Sequence, residues 1–192
     1  MTWFDRPVLA DSLVRLVPLS PDHAEGLFAA GHDPGVWTWL SGPPPGSVEE
    51  VRAGIVAALA QPDRAAWTQF DAAGVIAGTT SYYDIDPANR GLYIGHTWLG
   101  TAWQRTGLNT QAKSLLVRRA FEELGAIRVG WHTHARNARS RAAIERLGAR
   151  FEGIMRNHKI LHNGTVRDTA LYSMTDTEWP ATPLNTRGSV ID

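Results

Sequence analysis

The segment Leu99-Gly100-Thr101-Ala102-Trp103-Gln104-Arg105-Thr106-Gly107-Leu108-Asn109-Thr110 joins a strand-like run to an amphipathic one, and its residue types suit an anion. A helix start leaves backbone N–H groups without partners and carries partial positive charge, which makes it a receptor for phosphate. Gly107 lets the main chain approach such a group with no Cβ in the way. Arg105 adds charge, and the Asn109 amide and Thr110 hydroxyl add donors. The same residues also read as a polar loop with a capped helix behind it, and the segment alone leaves both readings open. Two other clusters carry chemistry. His132-Thr133-His134 puts two imidazoles on one face of a strand, but two ligands are too few for a metal site and no third is in view, so no metal is expected. Arg136, Arg139, Arg141, Arg146 and Arg150 gather around a helix start where nucleic-acid phosphates can bind. The formal net charge of zero argues against that use, because such binding needs a basic surplus.

The elements that must position these residues follow from periodicity. Residues 12–19 alternate polar and apolar and read as a first strand. Ser20-Pro21 reads as an N-cap with proline at the first helical position, opening a helix to about residue 30. Ser47-Val48-Glu49-Glu50 fits a capping box, and Val51, Ile55, Val56 and Leu59 mark one face of a second helix that ends before Pro62. Strands over 67–71 and 75–83 join through Ala72-Ala73-Gly74, and another covers 92–99. Leu108, Ala112, Leu115, Leu116, Ala120 and Leu124 have the spacing of a long helix closed by Gly125. A strand over 127–133, a helix over 138–147 and two strands over 149–161 and 165–175, turning at Asn163-Gly164, complete the order. The expected class is mixed α/β (α+β by some conventions): about seven mostly antiparallel strands, ordered β-α-α-β-β-β-α-β-α-β-β, with helices on both faces. Residues 180–192 are rich in Pro, Thr, Gly and Asn, so one domain over 1–179 with a surface or disordered tail is expected.

The chain's 192 residues suffice for one domain with a real core. The absence of cysteine removes disulfides, zinc–thiolate sites and thiol nucleophiles. Neither a leader-like N-terminus nor an apolar run of about 18 residues is read, so a cytoplasmic protein off the membrane is expected. Eight tryptophans are many for this length and serve as core fillers or pocket walls.

Gln104-x-x-Gly107-x-Asn109, following a strand and opening a long helix, resembles the Gln/Arg-x-x-Gly-x-Gly/Ala motif of the GNAT superfamily of N-acetyltransferases. Asn109 stands where that motif has a second small residue, so its side chain must turn away from a pyrophosphate or bond to it. Asn137-Ala138-Arg139-Ser140 resembles the family's Asn-x-x-Ser at the next helix start, and Leu147-Gly148-Ala149-Arg150-Phe151-Glu152-Gly153 its helix-end and strand-start signature. Asn163-Gly164-Thr165-Val166-Arg167-Asp168-Thr169-Ala170-Leu171-Tyr172-Ser173 resembles the closing hairpin of the branch of ribosomal-protein N-terminal (alanine/serine) acetyltransferases. The resemblance spans residues 12–179.

It implies acetyl-CoA as cosubstrate and an amine attacking the thioester directly. Thr97, Trp98 and Leu99 are then expected along the pantetheine arm, and Gln104, Arg105, Thr106, Gly107, Leu108, Asn109 and Thr110 around the pyrophosphate. Asn137 and Ser140 are expected on the cofactor too, with Ser140 reaching the sulfur end; an N-cap and a solvated serine are the structural alternatives. Many relatives carry a glutamate base on the strand before the turn, where Tyr93 or its neighbour stands here, so His96 and then His158 become the candidate proton acceptors. Tyr93 and Asp168 are candidate acceptor contacts, with an Asp168 ion pair to Arg156 or Arg167 as the rival. The acceptor implied is a protein N-terminal α-amine or a small amine, and zero net charge gives no indication of a strongly charged one. A CoA-binding sensor without transfer is the alternative of another class. A homodimer is compatible with the sequence, though no feature demonstrates it.

Overall fold

A computed structural model describes residues 2–185. The elements are β1 (Leu9–Ala10), β2 (Val14–Pro18), α1 (Ala24–Ala30), α2 (Val48–Leu59), β3 (Ala65–Asp71), β4 (Ile76–Asp86), β5 (Gly91–Leu99), α3 (Leu108–Arg118), β6 (Arg128–His134), α4 (Ala138–Arg146), β7 (Arg150–Ile160) and β8 (Val166–Thr175). They match the expected order, with one strand more. The extra strand is β1, two residues pairing with β2 at the sheet edge and too short to show periodicity. Ser20 and Ser47 act as the expected caps, Ser20 over a 3₁₀ turn at Pro21–His23 that leads into α1. Ser47 Oγ accepts from the Glu50 amide at 3.2 Å, but the Glu50 carboxylate reaches one residue further back, to the Gly46 N–H at 2.7 Å. The inner face of α2 also shifts: Ile55 and Ala58 are buried, whereas Val56 points to solvent at 55% exposure.

The strands form one sheet in the order β1-β2-β3-β4-β5-β6-β8-β7. All neighbours are antiparallel except β5 and β6, which run parallel over only three residue pairs, Gly91–Tyr93 against Arg128–Gly130. Beyond Tyr93 and Gly130 these strands part. β5 stays paired with β4, and β6 with β8. The splay leaves a V-shaped opening in mid-sheet, with α3 and α4 starting beside it. On one face α3 packs Leu108, Ala112, Leu116 and Val117 against Leu92, Ile94, Val129 and Trp131 in the main core. Each large apolar side chain fully buried there contributes about 1.5–3 kcal/mol. On the other face α1 and α2 cover β3 and β4 through Leu27, Ile55 and Ala66.

The long helix expected over 108–124 is α-helical only to Arg118, and residues Arg119–Glu123 form a π turn. Arg119 sits there fully buried, donating to the Asp5 carbonyl at 3.0 Å and lying 5.8 Å from the Tyr82 ring centre. Nor do residues 180–185 behave as a surface tail. Trp179–Ala181 form a 3₁₀ turn, Leu184 is 4% exposed in the main core, and its carbonyl accepts from Ser114 Oγ at 3.1 Å. One leucine and one tryptophan spaced across a Pro- and Thr-rich segment give no periodic signal, yet both are buried. The rest of the expected tail, 186–192, lies outside the described residues. Among the described residues no helix is long and apolar enough to cross a membrane.

Candidate active site

The splay opens into a cavity of about 570 Å³ walled by the end of β5, the end of β6 and the starts of α3 and α4. Its first wall is distorted by a bulge. Ser81 pairs with Gly95 and Thr79 with Trp98, so His96 and Thr97 are extra residues opposite Thr80. His96 takes a left-handed φ of 48°, strained for a non-glycine residue and of the kind that marks functional segments. Gly78 makes the bulge fit: a Cβ there would lie 2.0 Å from the Trp98 carbonyl oxygen.

The second wall is the turn before α3. Gly107 has φ 86° and Arg105 φ 65°. The first helical bond runs from the Gln111 amide to the Gly107 carbonyl at 3.1 Å, so the amides of Leu108, Asn109 and Thr110 precede the ladder. Gln104 is clamped between the Leu99 carbonyl (3.0 Å) and Arg139 Nη1 (2.6 Å), fixing the turn to β5 and to α4. Asn109 Oδ1 is buried without a hydrogen-bond partner. An amide rotated by 180° presents an N–H donor at that point instead, so this orphaned group suits a phosphate oxygen. Asn137 caps α4, its Oδ1 accepting from the Ser140 amide at 3.0 Å, which leaves its Nδ2 for the cavity. The cap and the cavity position coexist in one residue.

Of the residues singled out in the sequence, Thr97, Trp98, Leu99, Gln104, Arg105, Gly107, Asn109, Thr110, Asn137, Ser140 and His96 line this cavity. Five do not. The Leu108 side chain is core, as helical spacing dictates. Thr106 is occupied locally, its hydroxyl donating to the Trp103 carbonyl at 2.8 Å. Tyr93 lies beside the cavity in a ring cluster, 4.5 Å from His132 and 5.5 Å from Tyr83. His158 stands behind His132 at 5.6 Å, bonds Thr169 Oγ1 at 3.0 Å and is not part of the cavity lining. Asp168 accepts from the Asn157 amide at 2.8 Å, holding the bulge in β7, and forms no ion pair among the described residues.

Four cations of the cavity were not among the expected site residues. Lys113 faces inward from α3 at 5% exposure, its Nζ donating to Thr80 Oγ1 (2.9 Å) and Thr97 Oγ1 (2.6 Å) with no carboxylate partner. Burial alone pulls its pKa down to about 7. Arg64, Lys159 and Arg167 come from the loop before β3, from β7 and from β8. With Arg105, Arg139 and Arg146 these four make seven cations around one space that no Asp or Glu among the described residues lines. The arginine run near α4 is thereby dispersed: Arg139 and Arg146 face the cavity, Arg141 bonds the Tyr172 hydroxyl at 2.8 Å, and Arg150 pairs with Glu178 at 2.8 Å.

The same environment acts on the histidines. His96 opens into the cavity, but desolvation by its walls, then the charges of Arg64 and Lys159, pull its pKa to about 4. His132, which bonds the Tyr83 hydroxyl at 3.1 Å, is held at about 4 by burial and by His158, Lys159, Arg167 and Arg128. An unfolded chain protonates these rings near pH 6.5, before the folded chain does, so the unfolded state gains protons first and stability falls as pH drops from about 6.5 towards 4. In H132Q the loss of urea midpoint between about pH 7 and 4.5 should be smaller than in the native chain; an equal loss contradicts the assignment. Among the described residues no group of three or more His, Asp or Glu side chains is placed to hold a metal.

A model of the acetyltransferase (GNAT) domain matches residues 14–150, a span that covers the bulge, the turn and the α4 cap. The chain belongs to the GNAT acetyltransferase family. A GCN5-related N-acetyltransferase from Brucella melitensis is 37% identical over 92% of this chain and 82% of that one, with a TM-score of 0.88. The GNAT fold is shared further with the microcin C7 self-immunity acetyltransferase MccE, solved with acetyl-CoA and AMP (24% identity, 86% and 93% coverage, TM-score 0.77). It is shared too with RimL, a ribosomal L7/L12 α-N-protein acetyltransferase (23% identity, 88% and 94% coverage, TM-score 0.77). At those identities the likeness is one of fold. No curated protein gives a significant match.

Proposed function

We propose that the chain transfers an acetyl group from acetyl-CoA to a primary amine by direct attack within a ternary complex. The observation that carries this reading is the opening of the α3 turn, with left-handed Gly107 and the Asn109 and Thr110 amides ahead of the helical ladder, onto a splay lined by seven Lys and Arg side chains and, among the described residues, by no carboxylate. Acetyl-CoA supplies the thioester carbonyl. The Asn109 and Thr110 amides, the Asn109 side chain and Arg105 hold the pyrophosphate, and Arg139 and Arg146 take the remaining phosphate charge. The exposed edge of β5 at Thr97 to Leu99, with Asn137 Nδ2 and Ser140 Oγ, orients the arm and the sulfur end. The transferase unit runs through Leu184, whose burial ties residues 180–185 to the body.

Deprotonation of the acceptor follows from the field rather than from one strong base. An ammonium surrounded by positive charge and low dielectric is disfavoured, so an amine entering this cavity titrates below its solution value and presents its lone pair. The same charges stabilise the developing oxyanion and the departing thiolate. His96 is neutral at neutral pH and accepts the released proton by hydrogen bond, directly or through water, but its depressed pKa makes it a weak base. The acceptor is a protein N-terminal α-amine in the reading that the RimL likeness favours, and a small-molecule amine in the second reading.

The cofactor part is tested by R139Q. Loss of the guanidinium, with the release of Gln104 it entails, should weaken acetyl-CoA binding about tenfold by titration calorimetry, while near-ultraviolet circular dichroism stays native. Unchanged affinity contradicts the placement of the phosphates.

A further inference from the structure

The acceptor side of the cavity carries positive charge that no carboxylate in the cavity lining answers among the described residues. Arg167 is 8% exposed, its Nε has no hydrogen-bond partner, and among the described residues no carboxylate pairs with it. Across the β7–β8 ladder it stands directly opposite Lys159. Like charges in that position repel. Arg64 closes the other side, its guanidinium spent on Ser81 Oγ (3.1 Å) and Gln61 Oε1 (3.4 Å), both neutral. The nearest acids stand outside the cavity lining: Asp63 acts on Arg64 and His96, and Asp84 on Lys159. These three cations lie away from the α3 turn, where Arg105, Arg139 and Arg146 already serve the phosphates proposed above.

A buried guanidinium without a counter-ion is costly, and the cost is recovered when an anion enters. Arginine is also the side chain shaped for carboxylate and phosphate oxygens. We propose that Arg167, Lys159 and Arg64 form a subsite for an anionic group on the acceptor, so that the substrate is a primary amine carrying a carboxylate or a phosphate close to its nitrogen. This rests on the transferase reading. Anchoring the anion at Arg167 holds the amine inside the cavity beside His96, and a neutral amine has no comparable anchor.

Two matched acceptor pairs test it in the full-length protein: Ser-Asp-Asp-Ala amide against Ser-Asn-Asn-Ala amide, and O-phosphoethanolamine against ethanolamine. The peptide arm and the small-amine arm separate the two sources of the anion. In at least one arm kcat/KM should be about tenfold or more higher for the anionic member. R167Q should bring that ratio near one, and R167K should retain part of it. Independently of turnover, the N-acetylated anionic member should bind the CoA-loaded native protein more tightly than its neutral counterpart by a similar factor. Ratios near one in both arms, in rate and in binding, overturn the subsite, as does an R167Q chain that loses both members equally. Absence of thiol release with every acceptor overturns the transferase reading instead, while the binding ratio still decides this one.

Discussion

The native chain should gain stability between about pH 7 and 9.5, and Lys113→Met is expected to abolish that gain and to lower kcat/KM about tenfold. Lys113 is 5% exposed and its ammonium faces two hydroxyls and no carboxylate, which is why its pKa falls to about 7. In the unfolded chain the amine stays protonated to about pH 10.4. Between these values the unfolded state binds one proton more than the folded one, so stability increases with pH. Below about pH 7 both states are charged and the burial cost is felt in full. The increase over this window is on the order of 3 kcal/mol. Tyr82 and Tyr83, whose pKa values burial raises, act only above the window and in the opposite direction.

Methionine has no proton to exchange, so its curve should be flat over the same range in urea unfolding. Fold retention is expected because Thr80 and Thr97 remain 2.9 Å apart and bond each other. Activity falls for a separate reason. Lys113 holds Thr97 in the β5 bulge, and on the proposed role of that backbone in orienting the acetyl donor the loss should appear in kcat more than in KM for acetyl-CoA. A native curve that is flat between about pH 7 and 9.5 contradicts this account.

Gly78→Ala is expected to be the most damaging single methyl group added at any described glycine. Its Cβ would meet the Trp98 carbonyl oxygen at 2.0 Å and the Leu99 Cα at 3.0 Å, and neither is the end of a flexible side chain. β4 and β5 must separate there, which breaks the Gly78–Leu99 and Thr79–Trp98 pairs and collapses the bulge that presents His96 and Thr97. Overpacking of this kind costs about 1–3 kcal/mol when side chains can yield. Backbone against backbone belongs at the upper end or beyond. A melting temperature lower by about 6–12 °C, together with activity reduced at least tenfold at a temperature where the variant is folded, is the expected result. A G78A chain with native melting temperature and native kcat/KM contradicts the bulge geometry. Gly54, on the exposed side of α2, serves as the control: a Cβ added there meets nothing within 4 Å, so G54A should lower neither quantity.

The α3 turn was legible because a glycine between a strand and a helix has a short-range physical cause, and so was the Asn137 cap. Helices and all strands but the two-residue β1 followed from periodicity. Arg64, Lys113 and Lys159 left no local trace, and Arg167 stood in the closing-hairpin motif only as a possible partner of Asp168. They meet only through the topology, from the start of β3 to β8, and a lysine on an otherwise ordinary helix does not announce that it points inward. Net charge concealed them as well: a sum of zero is consistent with an even surface and equally with a cavity from which every carboxylate is excluded. His158 and Asp168 show the converse. Titratable residues near the right strand ends attract a functional reading, but pairing places them one layer away, on Thr169 and on the Asn157 amide.

Acceptor-dependent release of the CoA thiol tests the central claim most directly. The full-length protein is mixed with acetyl-CoA and a panel of peptide and small primary amines, thiol is followed by a chromogenic reagent, and each acceptor is weighed by mass spectrometry. The account predicts no thiol burst without acceptor, and one acetyl group on one nitrogen for each thiol released with it. Tight acetyl-CoA binding with no acceptor-dependent thiol release from any amine would contradict it and leave a CoA-binding sensor in its place.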